Sequence, residues 1–379
     1  MKRLALASIL ALISAPAFAQ LAVSANENKV MREPNGKVVV VPNAPPDTVS
    51  VIDLNVFPPR LVGEVQAPTS AVGPPTSVAV APDESFALVT AARRKHPSDP
   101  GKVIPDSRVS VIDLKGLKVL QTLQAGEGAS GVSINRAGTL ALVANRGEGT
   151  VSVFTLRGAT VAPAGKIPVG EGNSGPSHVV FTPDGKRALV TRDGDNGLTL
   201  LAIDGEKVTV TRTFYAGLRP YGAAITPDGR YAVVANIGRG QGDNDTASLI
   251  DLSANPPRTV DTITVGPTPE GITVSPDGRY AAVVIHDGST RAPDSPLYTP
   301  QGKVVLLGIA NGRLTKLSEE RIGRWSQGAA FSRDSRTLLV QNMVERNIMV
   351  FRIELNELRD TLHRIALSGG GAALRTAER

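Results

Sequence analysis

Thr226-Pro227-Asp228-Gly229-Arg230-Tyr231-Ala232-Val233-Val234-Ala235-Asn236 places a tight-turn signal directly before a run of branched apolar residues, and a second such run, Thr246 to Leu252, follows it. Asp-Gly supplies the side-chain bond and the left-handed backbone that a turn needs. Short Val-rich runs bounded by Gly, Pro, Asn and Asp read as strands. The same unit recurs along the chain, with turns at Pro34-Asn35-Gly36, Pro82-Asp83-Glu84, Arg136-Ala137-Gly138, Pro183-Asp184-Gly185, Pro227-Asp228-Gly229, Pro276-Asp277-Gly278 and Arg333-Asp334-Ser335. Their middle residues lie 48, 54, 47, 44, 49 and 57 positions apart. A unit of several strands at that period predicts a propeller or another repeat array.

After each turn comes a β-branched run such as Lys37 to Val41, Leu140 to Val143 or Tyr280 to Val284. A partner run follows, for example Thr48 to Leu54, Arg108 to Leu114 and Thr150 to Leu156. A short apolar strand before the turn and a fourth strand after the partner complete the unit. No repeat shows a sustained helical period. The expected fold is all-β: one seven-bladed β-propeller of four-stranded antiparallel blades over residues 20–379. Either Leu21 to Ser24 or the C-terminal Ser368 to Arg375 supplies the innermost strand of the first blade.

Leu142-Val143-Ala144-Asn145, Val233-Val234-Ala235-Asn236 and Val340-Gln341-Asn342 resemble the core tetrapeptide of the YVTN-repeat propeller family. Thr-Pro-Asp-Gly at 182–185 and 226–229, and Val-Ser-Val-Ile-Asp-Leu at 49–54 and 109–114, are similar to its flanking motifs. The resemblance covers about nine-tenths of the chain without its leader and implies the propeller fold. It leaves function open, because such folds carry enzymes, binding proteins and surface proteins alike.

Residues 1–19 read as a cleavable export signal: Lys2 and Arg3, an apolar stretch from Leu4 to Ile13, then Ala17-Phe18-Ala19. The expected location is the periplasm. The stretch is too short to span a bilayer, which takes about 20 residues. With no cysteine in the chain, thiolate metal sites and cysteine redox chemistry are excluded. The net charge of +6 becomes +4 without the leader, 39 basic against 35 acidic residues.

Alternating strand direction sets the Pro-Asp-Gly turns on one rim. On the other lie the lead-ins to the inner strands and the connections from second to third strand. The turns are uniform and read as structural. The connections vary: long in blade 2 (Ala91 to Ser107) and blade 6 (His286 to Gly302), intermediate in blade 5 (Gly238 to Asp245), short in blades 1, 3, 4 and 7. Variable loops on one face of a rigid scaffold point to binding there.

Aligning the repeats selects candidates on that face. Six residues before each turn stand Thr76, Ser130, Ser177, Tyr221, Glu270 and Gln327, a polar ring at the channel mouth. One position later, His178 replaces a residue that is Gly or Ser in the other aligned blades. Nine residues after each turn's start come Asn43, Ala91, Asn145, Arg192, Asn236, Ile285 and Asn342, where Arg192 departs from the asparagines. Arg146, Asp193, His286, Arg219, Trp325, Arg93 and Arg94 complete the candidate rim. Arginines gathered around a funnel suit a carboxylate or phosphate.

Gly175-Pro176-Ser177-His178 followed by Thr182-Pro183-Asp184-Gly185 is similar to the histidine segment of lactonases acting on sugar-acid or muconate lactones. That resemblance implies His178 as general base, with Arg192, Arg146 or Arg219 holding the substrate carboxylate and stabilising the oxyanion, and Asp193 beside them. Asp193, Asp195 and Asn196, and Asp243 to Asp245, are read as turn residues rather than metal ligands. Signatures of haem, flavin, nicotinamide and nucleotide sites are absent, so no cofactor is expected. Aromatics make up 4% of the chain, too few to favour single-stranded DNA, which needs stacking platforms. The sequence therefore predicts a monomeric exported module that binds an anionic small molecule, an envelope component or a partner protein. Lactone hydrolysis is the alternative.

Overall fold

A computed structural model describes residues 20–71 and 73–378; the leader expected at residues 1–19 lies outside them. The described residues contain no helix. Seven four-stranded antiparallel sheets stand around one axis. Blade 4 is typical: Pro176–Phe181, Arg187–Arg192, Gly197–Asp204 and Lys207–Tyr215, from the axis outward. Blades 2, 3, 5, 6 and 7 begin with Val78–Val80, Ala129–Ile134, Pro220–Ile225, Pro269–Val274 and Ser326–Phe331.

Burial grades outward as the strands demand. Arg187–Arg192 is buried along nearly its whole length, whereas the outermost Lys207–Tyr215 is mostly exposed. The apolar residues meet between neighbouring blades. Phe154 of blade 3 packs with Leu88 of blade 2, and Phe351 of blade 7 with Leu306 of blade 6. Truncating one such Phe to Ala costs about 3–5 kcal/mol.

Each turn is locked by its own side chains. Thr182 Oγ1 donates to Asp184 Oδ1 at 2.6 Å, and the same oxygen accepts from Lys186 N at 3.0 Å. Gly185 follows with φ +67°. The turns also stack: a Cβ on Gly229 would lie 3.3 Å from Pro183 of the preceding blade.

Blade 1 settles the open closure and departs from expectation elsewhere. The C-terminal strand Gly370–Thr376 is its innermost strand, pairing with Leu21–Glu27 so that Val23 faces Arg375. Of the two closures left open, the C-terminal one holds, and it removes both free sheet edges. Leu21–Glu27 is the second strand rather than the first. The turn Pro34-Asn35-Gly36 belongs to a separate hairpin, Val30–Arg32 with Val38–Val40. Its valines have strand composition, yet Val38 is exposed, and composition alone does not tell a core strand from a surface hairpin. Asn26, not Asn43, is thus the equivalent of Asn145. The second-to-third connection of blade 1, read as short, runs from Asn28 to Asp47.

Candidate functional site

On the variable rim the long connections knit together. The tip of the blade 1 hairpin packs on blade 6, where a Cβ on Gly36 would lie 2.8 Å from Ala292 N. Lys95 of the blade 2 hairpin donates to Pro42 O at 2.8 Å, and Gly242 of blade 5 abuts Leu297 of blade 6. Blades 3 and 4 have only short turns, Arg146 to Gly149 and Asp193 to Asn196, so the canopy stops short of them.

The asparagines close these turns. Asn145 Nδ2 donates to Thr150 Oγ1 and Ser152 Oγ, both at 2.9 Å, while its Oδ1 accepts from Gly126 N. Asn236 and Asn26 repeat the two Nδ2 donations. Arg192 fills the same place in blade 4. Its guanidinium donates to Val169 O and lies 3.3 Å from Asp195, with Gly197 leaving room for it. Directed into its own blade, Arg192 replaces an asparagine tie and does not join the mouth.

Asp193 is the hub at the mouth. Its carboxylate accepts from Ser177 Oγ at 2.5 Å, from Arg146 Nη2 at 2.8 Å and from Arg219 Nη2 at 2.8 Å. Its side chain is 1% exposed, against 30% for Arg146 and 38% for Arg219. Burial pushes the Asp193 carboxyl up, but the bonds and charge of Arg146, helped by Ser177 and Arg219, hold it below the usual carboxylate range. It is a fixed anion rather than a base. Burial alone would lower the Arg146 pKa, but Tyr221 and Asp193 bring it to a net rise. The Arg146 guanidinium lies 5.5 Å from the Tyr221 ring centroid. Burial, then Glu270, raises the Tyr221 phenol above its ordinary range, so it stays protonated.

Across the mouth stand Glu270, His286, Gln327 and Trp325. His286 Nε2 is 3.6 Å from Glu270 Oε2. Burial lowers the His286 pKa, Glu270 opposes this and Arg32 adds to it, leaving the imidazole net neutral-favouring. Arg32, supplied by the unanticipated hairpin, lies 4.3 Å from the Trp325 ring centroid and donates to Thr290 O at 2.9 Å. Its electrostatic coupling to Glu270 places it beside the same group. Both amide atoms of Gln327, Thr76 Oγ1, Ser77 Oγ and His286 Nε2 are buried without a protein partner. Buried polar atoms left this way call for a ligand or water.

The residues before the inner strands carry backbone strain. Gly128 and Gly175 take positive φ there, and so do Arg219 (φ +58°), Thr268 (φ +60°) and Trp325 (φ +49°). For a bulky residue this is a true outlier, and such strain gathers at functional sites.

His178 lies deeper. It is buried between inner strands, its Nδ1 accepting from Ala223 N at 3.3 Å and its Nε2 without a partner. Burial, then the charge of Arg375, drives its pKa well below the ordinary value. Arg93 and Arg94 are exposed on the blade 2 hairpin. Asp195 accepts from Gly197 N and Asp245 from Thr268 N, as loop residues do. Thus the structure brings together Asp193, Arg146, Arg219 and Tyr221, and beside them Glu270, His286, Gln327 and Trp325. Arg32 was missed because it lies in the hairpin mistaken for a blade strand.

Comparison with known proteins adds three findings. The family model for the lactonase seven-bladed beta-propeller matches residues 29–222 and, in a second overlapping register, 98–371. Protein NirF of Stutzerimonas stutzeri is 29% identical over 161 residues, 42% of this chain and 40% of that protein. The match spans about two fifths of NirF's length. Among solved structures, a putative 6-phosphogluconolactonase from Bacteroides uniformis superposes with TM-score 0.71 at 16% identity, over 95% of this chain and 99% of that one. The periplasmic gluconolactonase PpgL of Pseudomonas aeruginosa gives TM-score 0.68 at 18% identity, over 95% and 99%. At these identities the structural likeness speaks for the fold. Because the two registers together take in residues 29–371, the chain belongs to the lactonase seven-bladed β-propeller family.

Proposed function

We propose that this chain is an exported, YVTN-type propeller that binds a small carboxylate at the mouth ringed by Arg146, Arg219 and Arg32. The observation that carries the reading is the set of guanidiniums beside buried polar atoms with no protein partner, Gln327 above all. Arg146 and Arg219 are anchored by Asp193 yet partly exposed, which pre-orients their remaining donors. A planar guanidinium matches a carboxylate in two bonds at once. The test is titration with gluconate, 6-phosphogluconate and cis,cis-muconate, with uncharged gluconolactone as reference. Binding should need the charge and fall more than tenfold in Arg219→Ala. Absence of binding by every acid overturns the reading. Sequencing the N-terminus of protein recovered from the periplasm tests the expected cleavage before Gln20; an intact leader removes that part.

Lactone hydrolysis is the second reading, favoured by the Glu270–His286 pair and the family. In it, water attacks the lactone carbonyl carbon and yields its proton to His286 Nε2. The oxyanion faces Arg146 and Arg219. The ring C–O bond then breaks, and its oxygen takes the proton back from His286. His178, enclosed in the channel wall, is a packing residue in this scheme. Turnover that survives His286→Ala but disappears in His178→Gln would reverse the assignment.

A further inference from the structure

The channel has a second end, framed by the uniform turns, and it holds a cavity of about 140 Å³. Val180, Phe181, Ile225 and Phe331 give it apolar walls, while Arg136, Arg333 and Arg375 set cations among them and Glu84, 3.4 Å from Arg333, an anion. Arg375 is 93% buried, and it donates to a neutral acceptor, Ile272 O at 3.0 Å. Burial pulls the Arg375 pKa down and the Glu378 carboxylate pulls it back. The chain itself turns into this cavity after its last strand, bringing Ala377 and Glu378 to the lining. Glu378 accepts one hydrogen bond, from Ser133 Oγ at 3.2 Å, and acts on Arg375 and Arg136 through space.

We propose that this end of the channel is a second binding site, for a small carboxylate on an apolar body, and that Glu378 occupies it as an internal competitor. Three features argue for it. A cation buried in an apolar wall is costly unless an anion answers it. The answering anion lies outside any strand, is solvent-accessible and, among the described residues, accepts a single hydrogen bond, so an outside carboxylate can replace it. The walls accept an apolar body, which the variable rim, crowded with paired charges, does not offer.

The probe is benzoate, with benzamide as its uncharged counterpart, titrated calorimetrically into the full chain. Because a competitor that fills the site lowers apparent affinity by the fraction of sites left open, Glu378→Ala should bind benzoate roughly tenfold more tightly. Adding Arg136→Ala should abolish that gain, whereas adding Arg219→Ala, on the opposite rim, should leave it intact. Arg375 is left in place because it belongs to the strand that closes the ring. Unchanged or weaker binding in Glu378→Ala overturns the proposal. So does a gain that survives Arg136→Ala, that vanishes with Arg219→Ala, or that benzamide shares.

Discussion

The two ends of the channel are built from the same strands, yet they solve opposite problems. At the variable rim, charge is abundant and already organised: Asp193 binds Arg146, Arg219 and Ser177, and excursions from blades 1, 2, 5 and 6 cover part of the opening. At the other end the turns repeat almost unchanged, and Arg375 is buried against apolar walls with Arg136, Arg333, Glu84 and Glu378 around the same cavity. Organised charge orients a polar ligand, whereas a cation buried in an apolar wall favours an anion that can answer it. Uniform loops therefore do not imply an inert face. The sequence reading gave the turn rim a structural role alone because it compared loops and not the space they enclose.

Removing the hub should break the contrast most. Asp193→Ala releases both arginines and should abolish carboxylate binding at the mouth. It should also cost about 2 kcal/mol in urea unfolding, below the 3–5 of a fully buried pair because both guanidiniums reach water. The Asp193 carboxyl is held below its ordinary pKa. Its stabilisation is thus complete above about pH 4 and lost as pH falls through the lowered value. The difference between wild type and variant should shrink accordingly between pH 5 and pH 2.

Asn145→Ala comes next. It strips three bonds and leaves Gly126 N, Thr150 and Ser152 short of a partner, for an expected loss of about 1–3 kcal/mol at the blade 3 turn. Thermal denaturation measures it, and the turn rim should be unaffected.

The channel wall between the two ends should answer to pH. Folded His178 resists protonation, whereas an unfolded imidazole takes a proton near pH 6.5. Stability should therefore fall as pH drops below about 6.5, by at most about 1.4 kcal/mol per pH unit from this group. His178→Gln should flatten that slope in urea titrations at pH 7, 6 and 5.

The smallest effect is expected from Arg192→Asn, which restores the side chain used by four of the other six blades. Stability should change by no more than about 1 kcal/mol. Carboxylate affinity should stay within twofold, because the guanidinium points into its own blade. A large loss of binding would return Arg192 to the mouth.

Much of this molecule was legible in one dimension. Turn chemistry and Val-rich runs report local backbone preference, so the six turns from Pro82 to Arg333 and their strands marked six blades, and the run Thr48 to Leu54 marked the seventh. The polar ring from Ser177 to Gln327 followed from comparing equivalent positions. Blade 1 was misread at Val38–Val40 because a surface hairpin and a core strand share the same local signal. The direction of Arg192 was hidden for a related reason: a side chain's target depends on what stands opposite.

Strand content, the six blades that carry their own turn and the polar character of the mouth were thus determined by sequence, since each depends on residues within one repeat. The tertiary structure alone decided that Gly370–Thr376 closes the ring against Leu21–Glu27. It alone set Arg32 beside Trp325 and Thr290, the latter 258 residues away, and clamped Asp193 between blades 3 and 5. The physical reason is that these contacts join distant segments, whose meeting is fixed by register and closure of the whole ring and by no local preference of the chain.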